Sequence, residues 1–494
     1  MKKLLKSLVL FALVFSSVKA STNKTTLLPR SHGVNLAMEY TTWNELLQMK
    51  DDDRFGAHFQ ATVFYQDSTD DDDLGKYFGV RGKNYFQIAS TGVALANRDV
   101  ESRHILHDNV PAGAPFFAHV KLEPEQTAWG VRIDYYQDLE KLLKGLYLKV
   151  ALPIVNVDND VNFRVITGTD GAPATAANLR TFFNGTLAEA GIATGDGQLR
   201  LTHAKFTGSH SETSVADIDV VLGYKFLDKE KYHMSINLGL TIPVGTDPDG
   251  VYVFEPVVGN GDHWAFGAGL DFGAKLWEDG DQNIKFTTAL NYRYLFEGTE
   301  NRTLGIKNGS EVAIGNTAAG ATLPWGQYYL LGDRAIAWNT QMFMPAANVL
   351  TRGVDVEPGS QLDWILAFAY NNGGFSIDLG YNLFWKEHED VDLKGWDENK
   401  WCVANVGQDG NAGVAPANPG ANGNLFNLTR ANIDVAVAET PSYLTHKIYG
   451  GLGYIFKEWK YPLMLGMGAH YEFAGDNDQE VENWGLWGKI GVAF

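Results

Sequence analysis

The chain has 494 residues, with 40 Lys and Arg against 59 Asp and Glu, for a net charge of −19. This charge gives no basic footprint for nucleic acid, and an aromatic content of 12% is too high for a disordered chain. The single Cys402 excludes an intramolecular disulfide framework and a cysteine-based zinc site, and a mean hydropathy of −0.18 argues against a helical membrane protein.

In chain order, residues 1–20 read as a secretory signal peptide. Lys2, Lys3 and Lys6 precede an apolar run from Leu8 to Phe15, and Ala20 offers a small residue at the cut. That run is too short to span a bilayer. Residues 21–53 read as a periplasmic segment. Within it Leu36, Tyr40, Trp43 and Leu47 fall at helical spacing, which fits either a plug at a periplasmic mouth or an extra strand.

From residue 54 onward the dominant period is two. In Tyr232–Val244 every second residue (Tyr232, Met234, Ile236, Leu238, Leu240, Ile242, Val244) is apolar, and a helix would scatter these around its axis. The same alternation predicts twelve strands: 54–66, 127–137, 146–157, 214–227, 232–245, 263–277, 283–296, 361–372, 373–386, 443–457, 461–474 and 483–494. Such lengths suit tilted strands crossing a bilayer, which need about 9–11 residues. Aromatics near the strand ends (Tyr232, Trp264, Trp277, Phe296, Trp385, Tyr461, Phe473 and Trp484) suit the two interfacial zones.

The connections alternate between tight turns and long loops at 67–126, 158–213, 297–360 and 387–442, the layout of an outer-membrane barrel with short periplasmic turns. The fold class expected is therefore all-β: a closed antiparallel transmembrane β-barrel spanning 54–494. Fourteen strands is the alternative count, adding Tyr85–Ala89 and 116–122.

The last strand ends in an aromatic, Phe494, after Trp484-Gly-Leu-Trp-Gly-Lys-Ile-Gly-Val-Ala. This resembles the C-terminal sorting signal of Gram-negative outer-membrane β-barrels. Residues 216–270 resemble, more narrowly, the phenol-degradation-pathway outer-membrane family and the fatty-acid/aromatic hydrocarbon channel group. The matching elements are Asp217-X-X-X-X-Leu222-Gly-Tyr-Lys225, Ile242-Pro-Val-Gly245 and Gly259-Asn-Gly261. The N-terminal hatch motif of the fatty-acid channels is not present. The resemblance implies a porin-like channel in the outer membrane, in contact with lipid and lipopolysaccharide and delivered by the barrel-assembly machinery.

Charged side chains facing mid-bilayer lipid cost about 2–4 kcal/mol for Lys or Arg, so the polar phase of each strand should face the lumen. In the first half of the barrel these residues are Arg132, Asp134, Lys149, Asp217, Asp219, Lys225, His233 and Asn237. The middle strands add Asp271, Lys275, Lys285, Asn291 and Arg293, and the last strands Asp378, Asn382, Lys386, Lys447, His470, Glu472 and Lys489. Acids and bases alternate, so strong anion or cation selectivity is not expected. In-phase glycines such as Gly239, Gly267, Gly451 and Gly453 leave volume for water or an inserted segment.

The acidic runs Asp51–Asp53 and Asp70–Asp73 lack the spacing of a calcium loop, so no metal or cofactor is expected. The motifs of serine hydrolases, zinc proteases and phosphate loops are missing, so an enzyme is not expected. The function expected is passive passage of small solutes, apolar or aromatic ones among them. The alternative is a surface barrel whose loops bind a partner without an open pore.

Overall fold

The computed structural model describes residues 23–47, 56–69, 71–89, 98–106, 117–168, 179–187, 197–310, 314, 317–337, 341–404, 424–475 and 480–494. The expected signal peptide, residues 1–20, and Asp51–Asp53 lie outside the described residues. Twelve strands close into an antiparallel barrel. They are β1 (Ala57–Ser68), β2 (Glu125–Asp138), β3 (Leu146–Asp160), β4 (Ile218–Asp228), β5 (Tyr232–Ile242) and β6 (Ala265–Asp279). The circuit continues through β7 (Gln282–Leu295), β8 (Gly359–Asn372), β9 (Phe375–Lys386), β10 (Tyr443–Phe456), β11 (Leu463–Ala474) and β12 (Asn483–Ala493).

Closure comes from β12 pairing with β1, from His58 opposite Ala493 to Ser68 opposite Asn483. The β3–β4 seam is short, from Leu146 opposite Tyr224 to Ala151 opposite Asp219. Beyond it β3 pairs instead with the strand His210–Val215.

The alternation read from the sequence becomes two surfaces. Leu238 is 54% exposed, Met467 61% and Leu379 64%, whereas Asn382 is 0% and Lys489 5% exposed. A belt of exposed Leu, Ile, Val and Phe around an entire molecule is incompatible with a water-soluble monomer and suits hydrocarbon. Aromatics rim both edges: Tyr232, Trp277, Tyr454 and Tyr461 at the short-turn edge, Tyr65, Trp264, Phe296 and Trp484 at the other. No described helix is long and apolar enough to cross a membrane. The strands do the crossing.

The fourteen-strand alternative is corrected. Tyr85–Ala89 and Phe117–Lys121 are strands, but they pair with each other in a separate four-stranded sheet. That sheet is part of a cap built from the long loops. Its core gathers Phe78, Phe86, Phe182, Phe183, Phe254 and Trp325, all 2% exposed or less. The helical turn 179–183 and Tyr328 contribute to this cap core. On one side the wall continues above the barrel, where Gly298–Thr303, Thr351–Glu357 and Asp390–Leu393 form a three-stranded sheet.

The N-terminal segment is neither a strand nor confined to one mouth. Residues 23–47 run the length of the lumen. Leu27 packs in the cap core, while Leu46 packs against Met464 and Ala493 at the short-turn rim. Two short helices form on the way, α1 (Leu36–Tyr40) and α2 (Trp43–Leu47). Asn35 caps α1, its side chain accepting from the Met38 amide at 3.2 Å.

Candidate functional site

The lumen is organised by how this threaded segment meets the wall. Near the cap, Arg30 donates to Asp363 on β8 at 2.6 Å and to Asn382 on β9 at 2.9 Å, with Glu472 on β11 at 3.4 Å. Arg132 on β2 donates to the Gly33 carbonyl at 2.7 Å and to Glu39 at 2.8 Å, and Lys149 on β3 lies 3.4 Å from Glu39. Lys489 on β12 satisfies the end of α1, donating to the carbonyls of Met38 and of Thr41 (2.8 Å). The Tyr40 hydroxyl donates to Asp271 on β6. The Thr42 amide donates to Asp378 on β9 at 3.2 Å, and Glu45 pairs with Lys285 on β7 at 2.8 Å. Burying this many charges is costly unless each is paired, and the segment supplies the partners.

Two glycines permit this contact. A Cβ at Gly451 would fall 2.2 Å from Thr41 Cγ2, and one at Gly453 would fall 2.2 Å from Thr42. β10 therefore carries glycine where the segment's backbone presses on the wall.

The opposite wall is left open. A cavity of about 110 Å³ lies between α1 and strands β2 to β7, lined by Glu39, Arg132, Lys149, Asp219, Asn237 and Arg293, among others. It shares Tyr40, Tyr136, Lys149 and Asp271 with a larger cavity of about 280 Å³ at the short-turn mouth. Lys225, His233 and Lys275 line that mouth. Lys225 stands 5.6 Å above the Tyr136 ring, and Lys275 pairs with Glu278 at 2.6 Å.

Most of the other expected lumen residues are paired within the barrel. Asp219 accepts from Thr241 at 2.6 Å and Asn237 donates to Asp271 at 3.1 Å. Lys447 pairs with Glu472 at 2.9 Å, and His470 bonds Asn483 at 2.9 Å. Asp134 accepts from Arg132 and from Gln60, both at 2.8 Å. Asn291 and Arg293 border the cavity. Phe494 is 41% exposed at the short-turn rim, its amide bonded to the Ala57 carbonyl at 2.8 Å.

Two residues sit at the upper rim instead of along the lumen. Lys386 ends β9 and pairs with Glu389 at 2.5 Å, in a buried cluster where Arg302 bridges Glu389 (3.5 Å) and Glu300 (2.6 Å). Burial alone would raise the Glu389 carboxyl, but Lys386 and Arg302 beside it hold it down to about 2. Burial lowers the neighbouring Lys24 ammonium to about 8, and its Nζ donates to the carbonyls of Ala436 (2.6 Å) and Glu439 (2.7 Å).

Asp217 precedes β4 with φ +66°. Its carboxylate accepts from the amide and side chain of Asn260, both at 2.8 Å, and from the Val244 amide at 3.4 Å. The three short elements that carried the family resemblance thus meet in one loop anchor. Burial pushes the Asp217 carboxyl up to about 6.

Sequence reasoning missed Arg30, Glu39 and Glu45, which brace the lumen from inside. Their signal was faint: charges interspersed in a segment whose apolar residues already had helical spacing. Gln60 and Asp363 were also missed, although both occupy the inward phase of their strands.

A closed, lipid-belted barrel with a charged lumen and an internal segment defines the class: a transmembrane β-barrel of the outer-membrane type. No protein-family model matches the chain, and no curated protein matches it in sequence. Among solved structures, it is similar to the COG4313 outer membrane channel from Pseudomonas putida F1, at 10% identity and TM-score 0.38, over 90% of this chain and 100% of that one. It is also similar to a Pseudomonas aeruginosa FadL homologue, at 7% identity and TM-score 0.29, over 90% of each chain. The CymD monoaromatic hydrocarbon channel aligns at 10% identity and TM-score 0.27, over 97% of this chain and 98% of that one.

Proposed function

We propose that the protein is an outer-membrane channel for passive diffusion of small solutes, which pass between the threaded segment and strands β2 to β7. The observation that carries this reading is the pair of adjoining cavities on that side, lined by side chains that hydrogen-bond and carry both charges. A barrel whose interior served only as a scaffold has no need to leave adjoining cavities between the segment and β2 to β7 while packing the segment tightly on β10. The charged mid-lumen favours small hydrophilic solutes over the apolar or aromatic ones that the family resemblance implies. On this reading residues 1–20 direct export, the terminal Phe494 engages the assembly machinery, and the cap faces outward among lipopolysaccharide.

The aromatic cap core supports a second reading, a surface barrel that binds a partner through rigid loops. Planar-bilayer recording of the purified full chain separates the two. A channel gives small, steady open steps. Silence from folded, inserted protein over a range of voltages leaves the surface-barrel reading standing.

A further inference from the structure

From the cavity wall we infer a binding site for a small monocarboxylate, centred on Arg293; the inference rests on the channel reading and names its solute class. The register across the open wall sets the geometry. Lys149, Val221, Gly239, Gly267 and Arg293 lie in one row across β3 to β7. Gly239 makes a dent in this row between the two cations. A Cβ at Gly239 would meet only Val221, at 3.7 Å, so the dent is open there. A Cβ at Gly267 would fall 2.3 Å from the Tyr292 carbonyl oxygen and 3.2 Å from the Arg293 Cβ, so this glycine lets β6 and β7 approach closely beside the arginine stem. The next row toward the short turns places Asn237 and Asn291 on either side of Gly269, adding amide groups below the dent.

The charges in the cavity are not equivalent. Arg132 and Lys149 both hold Glu39. Asp134 has Arg132 and Gln60, Asp271 has Tyr40 and Asn237, and Asp219 has Thr241. Arg293 has no carboxylate within ion-pair distance among the described residues, and its Nη1 is buried without a hydrogen-bond partner. Buried polar atoms in folded proteins are nearly always paired, and an orphan of this kind calls for a water, an ion or a ligand. A guanidinium presents a planar fork that matches the two oxygens of a carboxylate.

The same wall limits the ligand. Asp219 and Asp271 face the cavity and repel a second negative charge, which excludes dicarboxylates. The volume of about 110 Å³ holds several waters at about 10–15 Å³ each, enough for a carboxylate with a short carbon chain. The site lies between α1 and the wall, so a bound solute meets Glu39 and Tyr40 on one side and the strand residues on the other.

The test uses the full chain in detergent and in liposomes, with propionate and its neutral isostere propionamide as probes. Calorimetric or NMR titration should show propionate binding and little binding of propionamide. Arg293→Gln, which keeps hydrogen-bonding capacity without the charge, should weaken propionate binding at least about tenfold, as expected for losing a charged hydrogen bond. Arg293→Lys should retain part of it, having the charge without the fork. Equal propionate binding in wild type and Arg293→Gln, or none in either, overturns the site. Liposome swelling separates the two levels of the proposal. Binding without flux or conductance rejects the channel and keeps the site; flux that Arg293→Gln leaves unchanged for both solutes, without binding, rejects the site and keeps the channel.

Discussion

The two halves of the lumen wall use the same residue type to opposite ends. On β10, Gly451 and Gly453 are filled by Thr41 and Thr42 of the threaded segment. On β5 and β6, Gly239 and Gly267 border a cavity. The charges do not divide by half: Arg30 ties the segment to β8 and β9, Glu39 and Glu45 tie it to β2 and β7 around the cavity, and within the cavity Arg293 has no carboxylate at ion-pair distance among the described residues. A lumen glycine therefore carries no fixed meaning. Whether it is a contact point or an opening depends on where the internal segment lies, and the segment lies where the wall offers it charge partners.

Removing the segment should disturb this asymmetry most strongly. Deleting residues 23–47 leaves both halves open, and single-channel conductance should rise several-fold over wild type; unchanged conductance would mean that the segment does not limit the pore. Gly453→Leu acts on the closed half alone. Its side chain would collide with Thr42 and push the segment off the wall, raising conductance and lowering unfolding stability by about 1–3 kcal/mol, the usual cost of overpacking. Gly239→Leu acts on the open half. It fills the dent, so conductance should fall, with a stability change below about 1 kcal/mol because no neighbour must move. Equal effects of these two substitutions on conductance would erase the distinction between the halves.

The last effect is at the rim and is on stability alone. Asp217 has a folded pKa of about 6 against an ordinary value of 3.8. A carboxyl raised by folding binds its proton more tightly in the native state, so it favours folding below the ordinary value. This contribution fades as pH rises from about 4 to 6, and above 6 the ionised group carries a cost on the order of 3 kcal/mol. Chemical unfolding of wild type and Asp217→Asn should therefore differ most in pH dependence between 4 and 6. Parallel profiles would show that the anchor to Asn260 is fully compensated when ionised.

The barrel is written in the chain's local pattern. A strict period of two, alternating short and long connections and aromatics at strand ends are all features of neighbouring residues, and each of the twelve strands lies within a few residues of its predicted span. The inward direction of Arg132, Asp271, Lys447 and Lys489 obeys the same period, because slipping one residue would turn a charge toward hydrocarbon. Which lumen charges would be braced and which left without a partner was set by long-range contacts instead. The partners of Arg132 and Asp363 are Glu39 and Arg30, distant in sequence and joined to them by no pattern. Tyr85–Ala89 has the alternation of a barrel strand and became part of the cap, because strand periodicity specifies a ribbon but not the sheet it joins. Ion pairing and close packing act across space, so they became visible only once residues 23–47 were threaded through the ring.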